Sequence, residues 1–251
     1  MRSTILLITF LFLAISCKTI KPVSEQKTSP QTEIISTSNT YDKAELEKKY
    51  YAQLEEELKI FNEADVAFMT GMIGHHAQAL IMSDLAAENG ASEPVQTLAS
   101  RIINAQKDEI KIMQSWLRDR KQPVPTVKIE GLNLIIEMEG MEMGNMDHSG
   151  HNMDHSNHKM DESGMVDHSD MVGMLSPAQM IELSEAKGKD FDRLFLTYMI
   201  QHHQGATVMV RELEESDGSM QHHTTDKLAS DINVDQTTEI ERMKLMLEEI
   251  D

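Results

Sequence analysis

The chain predicts an all-α fold, a four-helix bundle built from two repeated helical hairpins, and three observations carry that prediction. Met72-Ile73-Gly74-His75-His76 returns later as Met199-Ile200-Gln201-His202-His203. Around both copies apolar residues recur at steps of three and four, the period of an amphipathic helix. Aromatic residues make up only 4% of the 251 positions, short of the content of many β sandwiches. Two such hairpins cannot each bury their own apolar stripe, so they pack together about an approximate twofold axis.

The elements follow in order. Arg2 precedes an apolar run from Ile5 to Ile15, about half of the ~20 residues a spanning helix needs, so residues 1–17 read as an export signal. Ala14-Ile15-Ser16-Cys17 resembles a lipobox, with Ala14 where Leu is commonest. On that resemblance Cys17 is lipidated and the protein is an envelope lipoprotein, facing the periplasm or the exterior, that meets the membrane only through its anchor. The alternative is an ordinary secretory signal with an incidental Cys. Cys17 is the only cysteine, so a soft metal site must be built from Met and His. Residues 18–40, rich in Ser, Thr, Pro, Gln and Lys, read as a flexible tether.

Over 41–62, Leu46, Tyr50, Leu54, Leu58 and Phe61 mark an accessory helix. The first hairpin, 63–120, opens with a helix from Glu63 to Glu88 that Asn89-Gly90 stops. Ser92-Glu93-Pro94 restarts the chain, and Val95, Leu98, Ile102, Met113 and Trp116 carry a second helix that closes before Pro123. Ser176-Pro177-Ala178-Gln179 is a capping box opening the second hairpin, 176–251, with a break near Gly188 before the repeated motif.

A shift of 127 positions superposes Asp65, Phe68, Met72, His75, His76, Ala79 and Met82 on Asp192, Phe195, Met199, His202, His203, Ala206 and Met209. The partner helix repeats at a shift of 130, where Gln106, Glu109, Ile110 and Met113 recur as Gln236, Glu239, Ile240 and Met243. Met72 and His75 share a face with Met82, and Met199 and His202 with Met209. His75 and His202 fall on the central stripe, with His76 and His203 flanking. The competing reading makes these imidazoles core groups hydrogen-bonded to Glu109, Gln106 and their copies, and the Met residues plain packing. His222-His223, in the turn of the second hairpin, reads as surface.

The linker over 121–175 carries the stronger metal signal. Met146-Asp147-His148-Ser149, Met153-Asp154-His155-Ser156 and Val166-Asp167-His168-Ser169 repeat one unit, with His151, His158 and Met160 between them. A segment this polar cannot pack a core, so it is either a solvated spacer or a metal-collecting arm. Thioethers suit Cu(I) and carry no proton to displace, while imidazole also suits Cu(II). Imidazole ligands must be deprotonated, so capture by His is expected to weaken below about pH 6. The net charge of -19 excludes nucleic acid as a partner and favours cations.

The pattern Met-Ile-x-His-His-x-x-Ala-x-x-Met, the Asp-x-x-Phe before it and the later Gln-x-x-Glu-Ile-x-x-Met resemble, twice over from about residue 60 to the end, the family called domain of unknown function 305. The resemblance implies a ferritin-like four-helix fold, export, and copper binding with a role in copper tolerance. The Met-Asp-His-Ser units separately resemble Met/His repeats of exported copper-resistance proteins. The expected function is therefore non-enzymatic: sequestering copper or handing it on in the cell envelope. A homodimer made by exchanged hairpins and an envelope metal-transport partner are the open partner classes. One alternative is a metal-free envelope adaptor. The other, a di-metal oxidase, needs Glu-x-x-His motifs, whereas the residues three before His75 and His202 are Met72 and Met199.

Overall fold

The computed structural model describes residues 42–139 and 171–250. The expected signal peptide, Cys17 and the tether lie outside the described residues, as do Met146, His148, His151, Met153, His155, His158, Met160 and His168. Among the described residues the order is α1 (Lys43–Glu57), α2 (Glu63–Glu88), α3 (Glu93–Asp119), β1 (Pro125–Glu130), β2 (Asn133–Met138), α4 (Pro177–Glu185), α5 (Gly188–Glu214) and α6 (His223–Ile250). These residues are mostly helical, with one small two-stranded sheet among them.

The long helices α2 and α5 meet at the centre, α3 packs on α2, and α6 packs on α5. This explains the composition of α2, in which every residue from Gly71 to Ser83 is buried. A helix covered on all sides has no face to give to water, and its sequence becomes apolar or small all round. Its first turn is closed by a reciprocal capping box between Asn62 and Asp65. Asp65 is itself fully buried and also accepts from Met220 N at 2.9 Å, in the turn of the other hairpin. Asp192, at the matching place in α5, accepts from Ser92 N at 3.1 Å, in the turn of the first. Each inner helix thus fastens the other hairpin's turn, and α2 and α5 run antiparallel.

The core has two halves. One holds Phe68, Met72, Met113, Trp116 and Val210, with Met209 packed against it, and the other holds Met82, Leu98, Leu183, Phe195 and Met199. Trp116 donates to Thr225 Oγ1 at 3.1 Å and lies under the Arg120 guanidinium.

Two features differ from the sequence expectation, and a third, the exposed face of the expected accessory helix, adds to it. Residues 125–138, expected as linker, form an antiparallel hairpin whose two-residue turn needs positive φ at Gly131 (φ +61°). It lies against α2 and buries Val124 and Ile136. The apolar stripe of α1 stays on the surface, Tyr50 at 63% exposure, and this helix is held by pairs such as Glu45 with Lys49 at 2.9 Å. His222, expected at the surface, is buried, with its Nδ1 2.7 Å from Thr224 Oγ1. Burial, then the neighbouring Arg120 charge, lowers its pKa.

After residue 170 the chain returns as a short strap, 171–175, and enters α4 through the capping box of Ser176 and Gln179. The strap is laid across both inner helices. Gln78 of α2 grips Leu175 twice, accepting from its N–H at 2.7 Å and donating to its carbonyl at 3.0 Å. On α5 the strap passes over Gly205, where a Cβ would stand 2.2 Å from Val172 O and 2.6 Å from Gly173 Cα. Only glycine leaves room there.

Candidate metal centre

Where α2 and α5 cross, four imidazoles form a row: His76, His75, His202, His203. Neighbouring ring centroids are 6.4, 3.9 and 6.2 Å apart along it. All four rings are fully buried. Met72 belongs to one half of the core, with Met209 packed against it, and Met82 and Met199 belong to the other. Met72, Met82 and Met199 are fully buried, while Met209 is partly covered.

The hydrogen bonds define the chemistry. His75 donates from Nε2 to Val172 O of the strap at 3.3 Å. His202 donates from Nε2 to the His75 carbonyl at 2.9 Å. At the ends of the row, His76 Nε2 meets Glu109 Oε2 at 2.6 Å and His203 Nε2 meets Glu239 Oε2 at 2.7 Å. Every Nε2 faces an acceptor, so every Nε2 carries the proton. In the neutral ring Nδ1 then holds the lone pair. All four Nδ1 atoms are buried with no hydrogen-bond partner. Committing one ring nitrogen to a carboxylate or carbonyl, with the other free, is the arrangement of metal-ligating histidines.

Burial and neighbouring imidazoles set the charge state. Desolvation first, then His76 and His203, push His75 down to about 3, against an ordinary value of 6.5. His202 is lowered well below 6.5, again chiefly by desolvation and then by His75. The expectation that imidazole ligands fail below about pH 6 therefore does not apply to these two rings, which stay neutral through mildly acidic conditions.

Glu109 and Glu239 make the hydrogen bonds that the competing, core-group reading gave them, but Gln106 does not. Both polar atoms of its buried amide lack a partner. Among the described residues no group of three or more His, Cys, Asp or Glu side chains is arranged to hold a metal ion. One more thioether was not anticipated. Met171 Sδ and Met209 Cε converge above Gly71, 3.5 and 3.3 Å from where its Cβ would be, one helical turn before His75. The signal that could have revealed it was Gly71 itself, a bare position one turn from a His on a buried helix.

The family model described as "Domain of unknown function (DUF305)" matches residues 65–247. No curated protein matches the chain. Among solved structures, a DUF305 fragment from Deinococcus radiodurans is 25% identical and superposes with a TM-score of 0.54, covering 75% of this chain and 98% of that one. A DUF305 protein from Streptomyces coelicolor is 24% identical with a TM-score of 0.53, covering 74% and 92%. CopM in its Cu(II)-bound form is 28% identical with a TM-score of 0.47, covering 74% and 96%. With the family match running from the first turn of α2 almost to the end of α6, this chain belongs to the DUF305 family.

Proposed function

We propose that this protein is an exported, non-enzymatic copper-binding protein that sequesters copper or hands it on in the cell envelope, contributing to copper tolerance. The observation that supports it best is the row of four buried imidazoles, each with its Nε2 proton committed and its Nδ1 lone pair unpartnered. An unpaired polar atom in a core costs about 1–3 kcal/mol, and four in one place are a poor way to build a purely structural interior. Buried thioethers on the same two helices, Met72, Met82 and Met199, are the soft donors that Cu(I) prefers. The Met/His segment supplies capture: His148, His151, His155, His158 and His168, with Met146, Met153 and Met160, collect Cu(I) or Cu(II). Export is supported by the apolar run ahead of Cys17, and lipidation of Cys17 provides the anchor. Among the described residues no helix is long and apolar enough to cross a membrane.

Anaerobic Cu(I) titration of the full chain against a competing chelator tests this reading. Met72→Leu with Met199→Leu nearly conserves volume and removes only sulfur, so the fold survives. The expected result is loss of the tightest Cu(I) equivalent in that variant and in His75→Gln with His202→Gln. Unchanged affinity in both would leave the row as packing and the copper to the Met/His segment, whereas no tight Cu(I) equivalent in the unaltered chain would favour a metal-free adaptor.

A further inference from the structure

We propose that α1 is the pairing surface for a second copy of this chain, the two helices lying antiparallel about a twofold axis at Tyr50. None of the 15 residues of α1 is buried, and Leu46, Tyr50, Tyr51 and Leu54 are exposed. A lone helix of about 15 residues is marginal in water, and ion pairs between its neighbouring turns add little. Helices of this length draw their stability from an apolar face that something else covers.

The order of the exposed residues indicates what the cover is. Lys43, Leu46, Tyr50, Leu54 and Glu57 follow at steps of three, four, four and three, so they share one face. Read from either end the series has the same spacing, with Tyr at its centre, Leu on both sides of it and opposite charges at the two ends. A twofold contact needs a patch that complements itself when reversed. With the helices antiparallel, Leu46 meets Leu54 of the second copy, the two Tyr50 rings meet at the axis, and Lys43 meets Glu57 at both ends. A parallel pair would set Lys against Lys and Glu against Glu.

The charge along the helix gives the same direction independently. Its lysines, Lys43, Lys48 and Lys49, lie in the first half, while Glu55, Glu56 and Glu57 close it with no basic residue in the last turn. Carboxylates at a helix C-terminus add to the negative end of its dipole, and cations placed there relieve it. An antiparallel second copy brings its lysine half to that end. A membrane surface suits α1 less, because its five glutamates against three lysines are repelled by anionic headgroups. The helix is about 22 Å long, so the contact belongs to the weak, reversible class. The lipid anchoring proposed above would raise the effective concentration of two copies on one membrane, although the pairing does not require it.

Sedimentation velocity of the full copper-free chain, from micromolar to millimolar concentration, reads the pairing. The expected result is a monomer–dimer equilibrium that Tyr50→Glu weakens at least about tenfold, by setting two like charges at the axis. Lys43→Glu should weaken it about fivefold, and adding Glu57→Lys should restore it, because each end then joins opposite charges again. Since α1 lends no residue to the core, these substitutions leave the bundle folded. A chain that stays monomeric throughout would overturn the proposal. So would a dimer indifferent to Tyr50→Glu, which places the contact elsewhere, as exchanged hairpins would. A double variant no better than Lys43→Glu would refute the antiparallel arrangement. Monomers that bind vesicles of phosphatidylglycerol and phosphatidylethanolamine through Tyr50 would make the membrane the partner instead. Copper affinity is not read in any of these measurements, so their failure leaves the copper reading where it stood.

Discussion

Mild acid should weaken this protein, and His75 is the reason. Its folded-state pKa is about 3, and its unfolded value is the ordinary 6.5. Below 6.5 the unfolded chain takes up a proton that the folded chain refuses, so stability falls with pH until about 3. At pH 5 the difference is about one and a half pH units of linkage, or about 2 kcal/mol for His75 alone. That figure barely changes if the folded value is one unit higher, because pH 5 still lies above it. His202 adds a loss of the same sign. In urea, about 2 kcal/mol corresponds to a midpoint shift of about 1 M for a domain of this size. Denaturation midpoints of copper-free protein at pH 7.5, 6.5, 5.5 and 5.0, beside His75→Gln with His202→Gln, provide the assay. The wild type should lose midpoint steadily, and the variant should lose at least about 1 M less over the interval. Parallel curves would show that the buried rings are not the acid-sensitive groups.

Four further outcomes are expected. Copper held by the helical row should persist from pH 7.5 to 5, because His75 stays neutral there, while a chain with Met72→Leu and Met199→Leu, left with the Met/His segment, should lose imidazole-bound copper across pH 6; chelator competition at each pH distinguishes the two. Gly205→Ala should lower stability by about 1–3 kcal/mol and raise hydrogen exchange at 172–175, since its Cβ would collide with Val172 O. Glu239→Leu should weaken copper binding by about 10- to 100-fold with little change in far-ultraviolet circular dichroism, because it removes the acceptor that orients His203. Replacing the five histidines and the Met residues of 146–168 by Ala should reduce copper stoichiometry without moving the urea midpoint; an unchanged stoichiometry would remove the capture role.

What could be read from the sequence was what is decided locally. Apolar spacing located α2 and α3, the Ser176 to Gln179 box opened α4, and Gly188 marked the break before α5, since each is settled within a few residues. The hairpin of 125–138 was equally local, with β-branched residues on both sides of Gly131, and was lost only because the Met/His composition farther along drew the whole segment into one linker. Other features needed the third dimension. Asp65 and Asp192 were visible as a repeated register, but their bonds to Met220 and Ser92 cross from one hairpin to the other. The periodicity of α1 was real, yet nothing local says that its stripe stays uncovered. The row of imidazoles was half legible. Spacing put His75 and His202 at the centre, whereas the free Nδ1 atoms and the depressed pKa depend on which groups surround each ring.

The strap has a consequence for how alike the two central rings are. Gln78 and Gly205 occupy matching places in α2 and α5, yet one grips the strap and the other makes way for it. His75 consequently gives its proton to a loop carbonyl, while His202 gives its own to a carbonyl inside a helix. A loop can swing aside and a helix carbonyl cannot, so the two rings differ in freedom although their sequence surroundings are near copies. Two rings in matching places of similar hairpins are thus distinguishable: one is hydrogen-bonded to a segment that can move, the other to a carbonyl fixed within a helix.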